Sequence, residues 1–305
     1  MANPKTVQLF LIDGTARGPL KATISNWTGI TYLIPRTEID ALKDRPDLNQ
    51  TGVYLLFGTD DDDVVKVYIG QARERKNRAG VLGRIAEHIG EEKRDYWTHA
   101  VAFVTSNNSF GPTEISYLEN QFTNLARRAD RFEVTNGNEP SPGTVTEEKK
   151  AELDEFIKYA RLVIGALGYK VFDPVDDTKS APHPAEDAEP ILRLSRYGLQ
   201  ASGRQSTDGF VVLAGSQLRP IENFNPSSPK SALQNRERFA SKISGNTLMS
   251  DVLLGSPSGA ASFVYGASAN GLTEWKTDDG VTLAQLERGH TQNSQLRKRW
   301  ERTEA

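Results

Sequence analysis

Gly52-Val53-Tyr54-Leu55-Leu56-Phe57 and Val64-Val65-Lys66-Val67-Tyr68-Ile69, separated by the polar run Gly58 to Asp63, decide the fold of this chain. Two runs rich in β-branched and aromatic residues around a turn-forming loop read as a hairpin from Thr51 to Ile69. Successive strand side chains point to opposite faces. Val53, Leu55 and Phe57 therefore point one way and Tyr54 the other, while Val65, Val67 and Ile69 oppose Tyr68. Both tyrosines are expected on the less apolar face of the hairpin.

Downstream of the hairpin, the 3.6-residue period predicts a helix from about Val81 to Lys93, with Leu82, Ile85 and Ile89 as its buried stripe. Arg84 and His88, four apart, share another side of it. Tyr96 to Thr105 alternates as a third strand. Thr113 to Ala129 reads as a helix with Ile115, Leu118, Phe122 and Leu125 inward and Glu119 bordering that stripe. After a loop at Asn136 to Gly143, a long helix from about Val145 to Leu167 is closed by Gly168, and a strand Tyr169 to Phe172 follows.

The expected class is α+β, in six segments. Residues 1–50 form a β-rich cap, with strands at Thr6 to Ile12 and Ile30 to Ile34 and a short helix around Glu38 to Lys43. Residues 51–172 are the main domain. Residues 173–190, rich in Pro, Asp, Glu, Ser and Ala, form a linker that cannot offset its own ordering entropy. A strand-rich connector spans 191–230, a second small α+β domain 231–289, and a basic tail 290–305.

A length of 305 residues suits two ordinary domains. The absence of cysteine excludes disulfides, thiolate nucleophiles and zinc-thiolate sites. No apolar run approaches the roughly 18 residues of a membrane span, and Leu9-Phe10-Leu11-Ile12 is too short for a signal-peptide core, so a cytoplasmic protein without membrane contact is expected. The net charge of -3 gives no global attraction to nucleic acid, so any such affinity must be local. Arg73, Arg75, Lys76 and Arg78 are the candidate DNA-binding cluster; Arg127, Arg128 and Arg131, and Arg297, Lys298, Arg299 and Arg302, are two more. Each run taken alone reads more simply as a solvated face.

Phosphodiester hydrolysis needs an activated water, a cation on the phosphate, and positive charge where the transition state becomes negative. Glu119 offers a carboxylate of the kind Mg²⁺ or Mn²⁺ takes, since Mg²⁺ keeps most of its waters and uses one or two carboxylates. Glu114 is explained by the helix dipole, in the first turn of its helix. Arg84 brings a planar fork of donors for a phosphate, and His88 titrates near neutral pH. Tyr54 and Tyr68 can hydrogen-bond a phosphate oxygen or, once deprotonated, take a proton from water. An ordinary tyrosine pKa near 10 makes the base role depend on a nearby cation or partner, which Arg84 and His88 would supply.

Gly52-Val53-Tyr54, Tyr68-Ile69-Gly70, Arg84-x-x-x-His88 and a glutamate on a later helix, in this order and spacing, resemble the signature of the GIY-YIG nuclease family. The resemblance implies a compact fold, a three-stranded antiparallel sheet flanked by helices, over Thr51 to about Ala129. It also implies roles. Glu119 would hold one divalent metal, Mg²⁺ or Mn²⁺, and Arg84 would stabilise the phosphate. Tyr54 would be the general base with His88 as its proton partner, and Tyr68 would position phosphate or water. A late asparagine props the site in some members, a place open to Asn136 or Asn138. Val53 stands where the family's name has isoleucine, a swap on a buried face that touches nothing catalytic.

Phe239 to Leu286 resembles the DUF4357 domain. The likeness rests on Ser256-Pro257-Ser258-Gly259-Ala260-Ala261, Gly266-x-x-x-Asn270-Gly271 and Trp275-Lys276-x-x-x-Gly280-x-x-Leu283. The domain is similar to modules attached to restriction and adenine-methylation proteins, which implies DNA contact or modification sensing. The plainer reading makes Trp275 a core residue and the glycines turn-formers.

The expected function is thus a metal-dependent DNA endonuclease in restriction, defence or repair, with DNA and a second copy of the chain as partners, since one site per subunit cuts one strand at a time. The alternative is a non-catalytic DNA-binding or modification-reading protein on a nuclease-like scaffold. A third reading, an interaction protein independent of nucleic acid, is favoured only by the acidic net charge.

Overall fold

The computed structural model describes residues 4–61, 64–74, 80–174 and 190–288. Arg75, Lys76 and Arg78, most of the expected linker and the basic tail lie outside them. The chain is α+β and divides into two compact units, Met1–Asp177 and Thr178–Ala305.

The first unit is built on β1 (Val7–Leu11), β2 (Leu20–Ile24), β3 (Gly29–Pro35), β4 (Gly52–Thr59), β5 (Val65–Ala72), β6 (Trp97–Thr105) and the short β7 (Glu133–Val134). They form one seven-stranded sheet in the order β1-β2-β3-β6-β4-β5-β7. The three expected antiparallel strands are its β6-β4-β5 centre, with Tyr54 opposite both Gly70 and Ala102. The first 50 residues are not a separate cap, because β3 pairs with β6 from Gly29↔Thr105 to Pro35↔His99 and continues the sheet.

Helices α2 (Pro112–Ala129) and α3 (Glu147–Ala166) cover one face, where Ile115, Leu118, Phe122, Phe156 and Ile157 meet Val53, Leu55, Phe57, Val67 and Ile69. The opposite face, expected to be the less apolar one, holds a second core. Tyr54 and Leu56 lie there among Ile30, Ile34, Leu42, Leu48, Ile85 and Trp97. Residues 36–49, read from sequence as one short helix near Glu38 to Lys43, fold instead as 3-10 turns that bring Leu42 and Leu48 onto the sheet.

Helix α1 (Val81–Glu87) is shorter than the sequence suggested. It gives way to 3-10 turns at His88–Gly90 and Glu92–Arg94. Arg36 fixes this break: its guanidinium donates to the carbonyls of Ile89, Asp95 and Trp97. Consequently Ile89, placed in the buried stripe by periodicity, is 43% exposed, while His88 is 0% exposed. Tyr169 to Phe172 is not a strand, although Val171 and Phe172 are buried in the α2–α3 core.

The second unit contains β8 (Leu192–Arg196), β9 (Leu199–Ser206), β10 (Gly209–Val212), α4 (Lys230–Arg238), the small ladder β11 (Ile243–Ser244) and β12 (Thr247–Leu248), β13 (Val252–Leu254), α5 (Pro257–Tyr265) and α6 (Gly271–Glu274). Its main sheet runs β13-β10-β9-β8. The strands of the expected 191–230 connector therefore share a sheet and a core with the expected 231–289 domain. Among the described residues no helix is long and apolar enough to cross a membrane.

Candidate active site

Tyr54, Tyr68, Arg84 and His88 come together on the α1 face of the first sheet. The Tyr54 hydroxyl lies 2.7 Å from His88 Nε2. The rings of Tyr54 and Tyr68 have centroids 6.2 Å apart, and that of His88 is 5.6 Å and 5.4 Å from them. Tyr54 is fully buried, whereas Tyr68 and Arg84 are half-buried.

The glycines of the two tripeptides have steric reasons. A Cβ on Gly52 would come within 2.6 Å of the Phe103 carbonyl oxygen, so the backbones of β4 and β6 could not keep their approach. A Cβ on Gly70 would collide with the Tyr54 hydroxyl. Gly70→Ala is accordingly expected to push the phenol off His88 while sparing most of the core. The check is the Tyr54 ring environment by NMR beside a thermal melt, and an unmoved ring would contradict this packing account.

Glu91 and Arg94, which sequence reasoning passed over, complete the cluster. Glu91 Oε1 is 2.9 Å from His88 Nδ1, and Arg94 is ion-paired to the same carboxylate. Arg94 Cζ also sits 3.9 Å from the centroid of the Tyr68 ring, a cation–π contact. A carboxylate only accepts, so it fixes the proton of neutral His88 on Nδ1 and leaves the Nε2 lone pair to accept from Tyr54. The sequence signal was faint: Glu91 and Arg94 fall three and six residues after His88, a helical spacing that the 3-10 turns replace.

Burial pushes the Tyr54 phenol well above its ordinary range, with Tyr68 adding to the shift, while charge and hydrogen bonding from Arg84 and the charge of Arg94 pull it down. Burial, then Arg94 and Arg84, hold His88 down to about 4, against the pull of Glu87. Both partners are therefore neutral at rest. A base with a depressed folded pKa makes the unfolded chain bind the extra proton, so stability is lost as pH falls from the ordinary 6.5 through about 4. The expected loss is about 3 kcal/mol. Glu119 acts in the opposite direction over much of this range, so urea melts of wild type and His88→Gln at pH 7 and pH 4 should be compared as a difference. Equal losses in the two proteins would sink the prediction.

Glu119 stands apart from these four residues. It projects from α2 on the other face, and its carboxylate accepts from Gln71 Nε2 at 2.9 Å, on β5 three residues beyond Tyr68. Burial raises its pKa to about 7 against that hydrogen bond. A partly buried carboxyl whose hydrogen-bond partner is a neutral amide fits a place for added positive charge. Among the described residues no group of three or more His, Asp or Glu side chains is gathered for a metal ion, so a cation here would keep most of its waters. Glu114 accepts from the Gly111 N–H at 3.1 Å as part of its helix cap.

Asn136 and Asn138 separate clearly. The Asn136 side chain accepts from the Ile69 N–H at 3.1 Å and donates to the Ile69 carbonyl at 2.7 Å, closing the edge of β5 between Tyr68 and Gly70. Asn138 is exposed. Arg73 is exposed just beyond β5, whereas Arg131 donates to the carbonyls of Asp173 and Pro174 and ties the chain down.

The second unit gives a different kind of result. The helix α5 begins at Pro257, capped by Ser256 accepting from Gly259, and ends at Gly266 with φ +61°. Trp275 is fully buried, and its indole N–H donates to the Pro257 carbonyl at 3.0 Å. Residues 192–287 match DUF4357, a domain of unknown function. The DUF4357 match thus begins at the first strand of the second unit and takes in what the sequence suggested was a connector. Within the DUF4357 domain, Ser256, Pro257, Gly266, Asn270 and Trp275 build the α5–α6 corner; Trp275 is a core residue, as the plainer reading had it. Neither a curated protein nor a solved structure matches the chain.

Proposed function

We propose that the chain is a metal-dependent DNA endonuclease of the GIY-YIG type, with its chemistry in the first unit. The observation that carries this reading is the 2.7 Å contact between Tyr54 and His88 Nε2, with Tyr68, Arg84, Glu91 and Arg94 around it. A hydroxyl aligned on an imidazole whose far nitrogen faces a carboxylate is an arrangement for moving a proton.

Glu91 holds His88 in the tautomer that can take the Tyr54 proton at Nε2. The Tyr54 oxygen then accepts a proton from the water that attacks phosphorus in line. Arg84 favours this by lowering the phenol's proton affinity, and its remaining donors face the negative charge that grows on the phosphate. Its ion pair with Glu87, at 2.6 Å, orients the guanidinium. Tyr68, braced by Arg94, positions phosphate or water. Glu119, apart from this cluster and hydrogen-bonded to Gln71 near the end of β5, would hold Mg²⁺ or Mn²⁺, which when bound would supply positive charge for the phosphate. Asn136 braces β5 at Ile69, the residue after Tyr68.

One observation favours a second reading. Tyr54 is fully buried and its phenol is driven away from ionisation, which suits a satisfied core network as well as a base. On that reading the chain binds DNA, or reads its modification, without cutting it. Incubation of plasmid and single-stranded DNA with Mg²⁺ or Mn²⁺, with and without EDTA, separates the two. The nuclease reading expects nicking that EDTA stops. Salt-sensitive binding without any nicking, on methylated and unmethylated DNA alike, would favour the reader.

A loss of function on Glu91→Ala, with partial recovery in Glu91→Gln, is also expected. Glutamine keeps an acceptor for Nδ1–H, so cleavage should fall about tenfold less in Glu91→Gln than in Glu91→Ala. Equal activity of both variants with wild type would remove Glu91 from the mechanism.

A further inference from the structure

Tyr197-Gly198 is the two-residue loop joining β8 to β9, with Arg196 paired to Leu199 across its base. Both loop residues have positive φ, +56° and +76°. Such hairpin turns favour Asn-Gly, because asparagine tolerates the left-handed region that a bulky side chain resists. A tyrosine here carries strain, and its ring is not withdrawn to relieve it: Tyr197 is 61% exposed.

Two guanidiniums flank the ring, Arg196 with Cζ 4.7 Å and Arg219 with Cζ 5.5 Å from its centroid. The buried Tyr265 meets it edge-on at 5.8 Å. Arg196 is spoken for by Glu274, at 3.0 Å. The Arg219 guanidinium has no carboxylate partner among the described residues, yet its backbone is held firmly. Its N–H donates to Val264 at 2.9 Å, and its carbonyl accepts from the buried Arg236 at 2.9 Å. A largely exposed ring beside a guanidinium that has no carboxylate partner among the described residues matches a flat ring with an anionic group next to it.

We propose that the Tyr197 hairpin tip and Arg219 form a stacking site for an unpaired base of a nucleic-acid strand, with Arg219 on its phosphate. Base–aromatic stacking supplies affinity without sequence selection, and guanidinium planes add to it. The site lies wholly within the second unit and does not depend on the nuclease reading.

The test measures binding of labelled oligothymidylate by the full chain, in EDTA, by fluorescence anisotropy. Tyr197→Phe should bind like wild type. Tyr197→Asn should bind about tenfold more weakly. Its Tm should be equal to or higher than that of wild type, because asparagine relieves the left-handed strain. Arg219→Gln should flatten the salt dependence by about one phosphate contact. Wild-type affinity in Tyr197→Asn, no binding by wild type, or a Tm that falls together with binding would each overturn the proposal. Loss of binding in Tyr197→Asn by a protein that never nicks DNA would uphold it while ending the nuclease reading.

Discussion

Tyr54→Phe is expected to lower DNA cleavage by about 10²–10⁴-fold and leave the protein folded. Phenylalanine keeps the ring in the second core, which also holds Leu56, Ala102 and Ile85, and removes only the hydroxyl that meets His88. The cost to stability is that of leaving one buried imidazole nitrogen without its donor, about 1–2 kcal/mol. A cleavage assay paired with a thermal melt separates the two effects. The assignment of Tyr54 as the base fails if the variant cuts at the wild-type rate, and it is equally weakened if the variant unfolds, because the hydroxyl would then be structural.

Glu119→Gln is expected to lose cleavage by about 10³-fold, in keeping with the several kcal/mol that a bound cation contributes to phosphoryl chemistry. Glutamine has nearly the same shape and can keep one hydrogen bond to Gln71, so folding should be undisturbed. Raising the concentration of Mn²⁺ should restore part of the rate, since the substitution weakens a ligand rather than blocking the site. Titrating Mn²⁺ against the cleavage rate of both proteins is the check, and superimposable curves would take the metal away from Glu119.

The central strands were legible because hydrophobic alternation is a local signal. Val53, Leu55 and Phe57 against Tyr54 determine which face each residue occupies, whatever covers that face. What covers it was not local. The face with Tyr54 is buried by Leu42 and Leu48 from 3-10 turns and by Ile30 and Ile34 from a strand that joins through β6. None of these contacts leaves a periodic mark near Tyr54. The same limit explains Ile89 and His88: helical spacing buries Ile89, but the long-range hold of Arg36 on residues 89 to 97 ends α1 early and turns His88 inward.

Of the candidate site, the residues with chemical side chains were visible in sequence, and the relations among them were not. Glu91 is one of several acidic residues in a polar stretch until the 3-10 turn brings it to His88 Nδ1. Asn136 and Asn138 are two residues apart in sequence, and only the register of β5 distinguishes the one that braces Ile69. In the second unit the motif of Ser256, Pro257, Gly266 and Trp275 was read correctly as a local unit. Its strands at Leu192 to Val212 were detached from it because their shared core is formed across the intervening α4 segment.

Nicking of supercoiled DNA in Mg²⁺ by purified wild type and Glu119→Ala, compared side by side, tests the central claim most directly. Conversion to the open-circular form by wild type alone, abolished by EDTA, is the predicted result. No conversion by well-folded wild type, or equal conversion by both proteins, would contradict a metal-dependent nuclease centred on Glu119.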